Sequence, residues 1–370
     1  MNSQDIDYQV GLQSGISTNK GPSKIVKILL ILSFCIICAL LISTIFLAVK
    51  YSESKDDSSS SEKPQPENDS DKFFTSKVFM VKPINFGFNN ETADSNPYQH
   101  EEFEEAQEKA LNESQDFVKL LTENNITVIQ AEDTPEPKTP DSIFPNNWFS
   151  THENGTLVLY SMKAENRRAE RKQVFLDSIK KNFNYKNIID LTNWEKEKKF
   201  LEGTGSMVLD RVAKIAYACK SPRTHEDVLN DFCKKLGFTP ILFNAVDRND
   251  KMIYHTNVLM CIGSNFAVVC KDSIKDKDEC NKVKNSLEKS GKKIIEISFD
   301  QMEHYAGNML EIKNKNGKRF LVMSQTAYDC LTNDQKNYLE KECSILHPKI
   351  ECVEVNGGGS ARCMMAEFFL

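Results

Sequence analysis

What this sequence lacks narrows its reading first. Neither an H-E-x-x-H motif nor a paired-cysteine ligand spacing occurs in the part that reads as folded, so the expectation is a protein with no metal and no cofactor. No basic cluster stands out, and a formal net charge of −6 lacks the electrostatic footprint of a nucleic-acid binder. Seven acids and three lysines fall within residues 51–72, which leaves the remainder close to neutral. Beyond residue 73 there is neither a break in composition that would divide the chain nor a visible internal repeat.

The chain has 370 residues, 40% apolar and 27% charged, and is globular in composition except near its start. Residues 28–49, ILLILSFCIICALLISTIFLAV, carry no charge, and at about 1.5 Å per helical residue they can cross a hydrocarbon core of about 30 Å. The run is longer than a signal-peptide core and no small-residue cleavage site follows it. The expectation is therefore a retained single-pass transmembrane helix. Lys20, Lys24 and Lys27 precede it, which marks residues 1–27 as a cytoplasmic tail and puts the bulk of the chain on the lumenal or extracellular side. Sequons at Asn68, Asn90, Asn112, Asn125 and Asn154 agree with that side and with a glycoprotein. Of eleven cysteines, Cys35 and Cys38 lie in the apolar run; the other nine fit either disulfides plus one free thiol or a fully reduced protein. Residues 50–72 are rich in Ser, Asp, Glu and Pro, cannot bury enough apolar surface to offset their ordering, and read as a flexible acidic linker. Residues 73–370 remain as one domain.

Within that domain short apolar strands alternate with amphipathic helices, so the class is α/β. The runs at 78–81 and 126–129 read as strands, and Phe103, Ala106, Ala110, Phe117 and Leu121 recur at helical spacing between them. Asn154-Gly155 predicts a hairpin turn before a strand at 156–160. Thr224-His225-Glu226-Asp227 reads as a capping box opening a helix that Gly237 stops. Cys280, Val283 and Leu287 with Gly291 repeat that scheme.

The candidate chemistry lies at the end of the chain. A β-like run at 350–355 leads into Asn356-Gly357-Gly358-Gly359-Ser360-Ala361-Arg362-Cys363, where glycines deliver a thiol to a place a ligand can approach closely. His255 opens an otherwise apolar strand, and Glu202 stands among glycines just before another. Singly, each has an ordinary reading as a buried thiol, a hydrogen-bonded histidine or a solvated acid. Together they supply a nucleophile, a base and an orienting carboxylate.

F-P-N-N-W-F-S (144–150), N-R-R-A-E-R (166–171), L-E-G-T-G-S (201–206), S-P-R-T (221–224), Y-H-T-N (254–257) and G-G-G-S-A-R-C (357–363) follow in that order. Order and motifs resemble the amidinotransferase, or pentein, superfamily of arginine deiminases, dimethylarginine dimethylaminohydrolases and glycine amidinotransferases, and within it the citrulline hydrolase-like branch. The resemblance covers essentially all of 73–370. It implies a five-bladed propeller of ββαβ units around a central channel and a small amino-acid substrate, and it leaves the oligomeric state open. Carried onto these positions, it makes Cys363 the nucleophile at a guanidino or ureido carbon, His255 the general acid and base, and Glu202 the group that orients the imidazole.

Members acting on arginine place aspartates where this chain has Asn147, Ser206 and Asn257. A buried guanidinium wants carboxylates, whereas a neutral ureido group wants amide partners such as Asn146, Asn147 and Asn257. The expected activity is hydrolysis of citrulline to ornithine. Dimethylarginine hydrolysis, amidino transfer and a non-catalytic ligand-binding ectodomain are the alternatives. Arg223 or Arg168 would hold the substrate carboxylate, although the arginine-rich run around Arg168 fits a solvated helix face equally well.

Overall fold

Five three-stranded sheets, each mixing one antiparallel and one parallel pairing, make up the fold of this computed structural model, which describes residues 71–103 and 105–369. The first contains β1 (Lys77–Lys82) and β2 (Thr127–Glu132), laid parallel by the crossover helix α1 (Ala106–Glu123). The second has β3 (Phe149–Thr151) and β4 (Thr156–Leu159) as a hairpin, then α2 (Gln173–Asn182) and β5 (Asn187–Asp190). The third repeats this with β6 (Val208–Asp210), β7 (Ile215–Cys219), α3 (Glu226–Leu236) and β8 (Thr239–Phe243). The fourth does so with β9 (Met260–Ile262), β10 (Phe266–Val269), α4 (Lys277–Lys289) and β11 (Lys293–Glu296). The fifth is β12 (Leu310–Lys313), β13 (Arg319–Val322), α5 (Asn333–Glu342) and β14 (Ser344–Leu346).

The first sheet lacks a hairpin partner of its own, and β15 (Ala366–Glu367) supplies it. β15 runs antiparallel to β1, with Val78 opposite Glu367 and Phe79 opposite Ala366. The last strand thus serves the first sheet as β3, β6, β9 and β12 serve theirs. These innermost strands lie beside one another, β15 against β3 and β9 between β6 and β12.

Local chemistry accounts for the elements. The middle four residues of β1 are all buried, as a strand covered on both faces requires. α1 buries Ala106, Ala110, Phe117 and Leu121, the stripe its spacing predicts. Phe79 from β1 meets Phe149 edge-on at 5.4 Å and stacks on Phe368 at 6.1 Å, which fastens the first sheet to the second. Gly155 turns the β3–β4 hairpin at φ +80°, and Gly237 ends α3 at φ +73°. α3 is capped by His225, whose Nδ1 accepts the Asp227 N–H, and not by Thr224.

Three expectations need correction. The run at 350–355 is not a strand: Glu351–Gly357 is helical, because Glu113 of α1 accepts the N–H groups of Cys352 and Val353 at 2.9 Å each and satisfies the helix start. His255 does not open a strand but precedes a one-turn helix, Thr256–Leu259, that leads into β9. The assignment as a single-pass membrane protein is also corrected, since no helix among the described residues is long and apolar enough to cross a membrane. The expected anchor at 28–49, the tail at 1–27 and the linker up to residue 70 lie outside the described residues. All nine cysteines among the described residues are free thiols, and Asn90, Asn112, Asn125 and Asn154 are exposed.

Glu367 joins the closing strand to the core. Its carboxylate meets Arg211 Nε at 3.3 Å and Arg362 Nη2 at 3.0 Å. Burial alone would raise its carboxyl, but the two guanidinium groups hold it below the usual range. Removing it leaves the nearly buried Arg362 without a carboxylate and Arg211 with only Glu153 at 4.0 Å, so Glu367→Ala is expected to cost about 3 kcal/mol in urea unfolding. A loss below about 1 kcal/mol, the range of an exposed pair, would contradict this.

Candidate active site

Each innermost strand is entered through a short turn, and the turns before β3, β6, β9, β12 and β15 carry the polar residues of interest. Glu202 precedes the one-turn helix Gly203–Ser206 and is 1% exposed. Its Oε1 accepts the Lys163 N–H at 3.0 Å; its Oε2 accepts from His255 Nε2 at 2.9 Å and faces Arg223 Nη1 at 3.5 Å. Burial would raise its carboxyl, but Arg223, the His255 hydrogen bond and Arg167 hold it far below the ordinary range, so it is ionised. An ionised carboxylate only accepts, which assigns the His255 proton to Nε2 and leaves Nδ1 free to take one up. Burial, reinforced by Arg223 and Arg167, pushes His255 down to about 4 against the pull of Glu202. The resting pair is carboxylate and neutral imidazole.

Cys363 sits at the end of a tightly held turn, with its N–H on the Ser360 carbonyl at 2.9 Å. Gly358 ends the preceding helix at φ +61°, a conformation that favours glycine, and its carbonyl accepts from Tyr254 Oη at 2.7 Å and Asn96 Nδ2 at 3.1 Å. Glu354 accepts the Ser360 hydroxyl at 2.5 Å. The sulfur receives Asn257 Nδ2 at 3.4 Å and Asn308 Nδ2 at 3.3 Å. His255 and Cys363 line one narrow cavity with Asn147, Asp141, Arg167, Arg223 and Tyr254.

The other expected residues divide. Asn147 lines the cavity; its Oδ1 accepts from Arg167 Nη1 at 2.7 Å, and its Nδ2 is buried without a partner. A Cβ on Gly205 would lie 2.4 Å from that Nδ2 and 2.7 Å from His255 Nδ1, so only glycine lets the two side chains meet here. Asn257 Oδ1 is also unpartnered. Asn146 donates Nδ2 to Thr204 Oγ1 at 3.2 Å, leaving its own Oδ1 unpartnered. Arg223 lines the cavity while its guanidinium donates to Thr92 O at 2.9 Å and Ser95 Oγ at 2.8 Å. Ser206 is occupied elsewhere, its hydroxyl accepting the Glu202 N–H at 2.8 Å and donating to Arg223 O at 2.7 Å. Arg168 points away from the cavity, donating to Met162 O at 2.9 Å and Lys163 O at 3.1 Å beside Glu195.

The sequence reading did not single out Arg167, Asp141 or Asn308. Arg167, and not Arg168, lines the cavity, its Nε bound to Glu170 at 2.8 Å. Asp141 is the carboxylate lining the cavity; Asn89 and Thr92 donate to its Oδ2 and its Oδ1 is unpartnered. Burial pushes its carboxyl up against the pull of Arg167.

Structural comparison gives the class. The N-terminal domain of ArgZ, a cyanobacterial arginine dihydrolase in a substrate-bound cysteine-to-serine form, superposes with a TM-score of 0.62 at 16% identity, over 80% of this chain and 99% of that one. AgrE bound to L-arginine gives 0.63 at 16% identity, over 79% and 40%. The dimethylarginine dimethylaminohydrolase of Pseudomonas aeruginosa, complexed with citrulline, gives 0.57 at 13% identity, over 80% and 99%. These likenesses define a pentein fold, that of the amidinotransferase superfamily, whose enzymes act on guanidino C–N bonds. No curated protein matches the chain in sequence. Residues 82–370 match the family "N,N dimethylarginine dimethylhydrolase, eukaryotic", and the chain belongs to it.

The depressed histidine can be tested directly. In an NMR titration of the folded protein, His255 is expected to protonate near 4, where an ordinary histidine does so near 6.5. Because the folded value is the lower one, its contribution to stability is present above pH 6.5 and is lost as pH falls towards 4. Glu202→Gln removes the interactions that raise it and lowers the midpoint further; a midpoint moving upward contradicts the assigned pairing.

Proposed function

We propose that this enzyme hydrolyses citrulline to ornithine through a covalent adduct on Cys363. The observation that carries the reading is the neutral amide groups around the sulfur: Asn147, whose Nδ2 is buried and unpartnered, lines the cavity with Cys363, and Asn257, whose Oδ1 is likewise unpartnered, touches the sulfur from outside that lining. A donor and an acceptor without charge suit a ureido group, whereas a buried guanidinium would need carboxylates.

In this reading His255 Nδ1 takes the Cys363 proton and the thiolate attacks the ureido carbon, forming an S–C bond. The bond from that carbon to the substrate's side-chain nitrogen then breaks. Ornithine leaves with the imidazolium proton, and an S-carbamoyl cysteine remains. His255, neutral again, takes a proton from water, which attacks the carbonyl carbon. Carbamate departs, breaking down to carbon dioxide and ammonia, and the sulfur is released. Glu202 keeps the imidazole in one orientation and stabilises its charged form. Arg167 and Arg223 face the substrate carboxylate, and Asp141 Oδ1 takes the α-ammonium group, which would draw its raised carboxyl back down.

Asp141 also favours a second reading, since it offers one carboxylate to a cationic dimethylarginine or arginine. Assay of the purified protein with citrulline, arginine and dimethylarginine separates the two. Ornithine is expected from citrulline, with kcat/KM at least about tenfold above the cationic substrates, and none from Cys363→Ser. Asn147→Asp, which restores a carboxylate, is expected to narrow that ratio. Turnover confined to arginine or dimethylarginine would overturn the citrulline reading.

A further inference from the structure

Asn308 stands on the turn before β12 in no recognised motif, yet it touches the sulfur. Its amide orientation is fixed by its partners: Oδ1 accepts the Arg362 N–H at 3.0 Å, so Nδ2 faces Cys363 Sγ at 3.3 Å and the Asn257 carbonyl at 3.0 Å. Asn257 Nδ2 approaches the same sulfur at 3.4 Å. Both asparagines are 1–2% exposed. Two amide donors on neighbouring turns therefore converge on one buried thiol.

The other polar groups near Cys363 have different partners. Tyr254 and Tyr305, whose charges would be felt at the sulfur, give their hydroxyls to Gly358 O and Glu354 O. Arg362 turns its guanidinium to Met365 O and Glu367. Across the cavity lie Asp141, Arg167, Arg223 and the neutral His255. The hydrogen bonds to Sγ among the described residues come from the two asparagines, and the protonated thiol in turn reaches Asn308 Oδ1 at 3.7 Å, a longer contact that ionisation gives up. A thiolate accepts N–H bonds far better than a thiol, so paired donors favour ionisation.

The geometry points to Asn308, acting with Asn257, as the group that holds Cys363 in its nucleophilic thiolate form. Asn308 is thus a catalytic residue for the reaction proposed above, and that role rests on the hydrolase reading. The thiol proton passes to His255 Nδ1, the two N–H groups take up the sulfur's negative charge, and they relax as the S–C bond consumes it.

The test is the rate of Cys363 alkylation by iodoacetamide in the full-length protein, followed by peptide mass spectrometry from about pH 5 to 10. Asn308→Asp keeps an acceptor for Arg362 N–H but puts an oxygen where the donor stood, and Asn308→Ala removes both. Each is expected to slow alkylation about tenfold at pH 7, shift the midpoint up by about one unit and match wild type near pH 10. Wild-type profiles in a variant whose melting curve shows it folded overturn the assignment. Thiol reactivity is read without turnover, so inactivity on every ureido and guanidino compound would defeat the hydrolase reading while leaving this result to stand or fall alone.

Discussion

The candidate site depends on keeping Glu202 charged where water does not reach it. A bare carboxylate there would simply protonate, and a protonated acid could no longer fix the imidazole. Arg223, the Lys163 amide and His255 Nε2 each meet one of its oxygens, with Arg167 close enough to add to the field. Much of the surrounding sequence serves this arrangement. Ser206 ties the turn carrying Glu202 to the turn carrying Arg223, and Gly205 is absent of side chain so that His255 and Asn147 can stand close.

The same logic explains why the fold is a set of five repeats. The acid, the imidazole, the two sulfur-facing amides and the thiol come from the entries to β6, β9, β12 and β15, and Asn147 from the entry to β3. No single sheet could supply them. Side-by-side packing of the innermost strands brings these entries together, while the crossover helices and the Phe79–Phe149–Phe368 cluster hold the sheets.

Cys363, His255 and Glu202 are legible in the sequence because each lies in a glycine- or motif-marked context. The repeat is not, for a physical reason. What recurs is a polar residue followed by two apolar ones: Asn147-Trp148-Phe149, Ser206-Met207-Val208, Asn257-Val258-Leu259, Asn308-Met309-Leu310 and Cys363-Met364-Met365. The polar residue is Asn at three of the five places, but a lone Asn before two apolar residues is too common to stand out, so Asn308 is invisible until the turns are compared in the fold. Arg167 and Arg168 are neighbours in sequence, and only the helix phase decides which one turns inward. Residues 350–355 are rich in the β-branched residues Ile350, Val353 and Val355, yet a partner far away, Glu113, satisfies the start of a helix there.

Pairing between β1 and β15 has a consequence for how the protein comes into being. Val78 and Phe79 find their partners only at Glu367 and Ala366, so the fold contains a contact spanning nearly its whole described length. Contacts of that separation carry a loop-closure cost that makes them slow to form. A ribosome-bound chain lacking residues 363–367 has neither the thiol nor the strand that completes the first sheet. The Cys363 thiol and the closure arrive together, so that sulfur is never presented on a half-made scaffold.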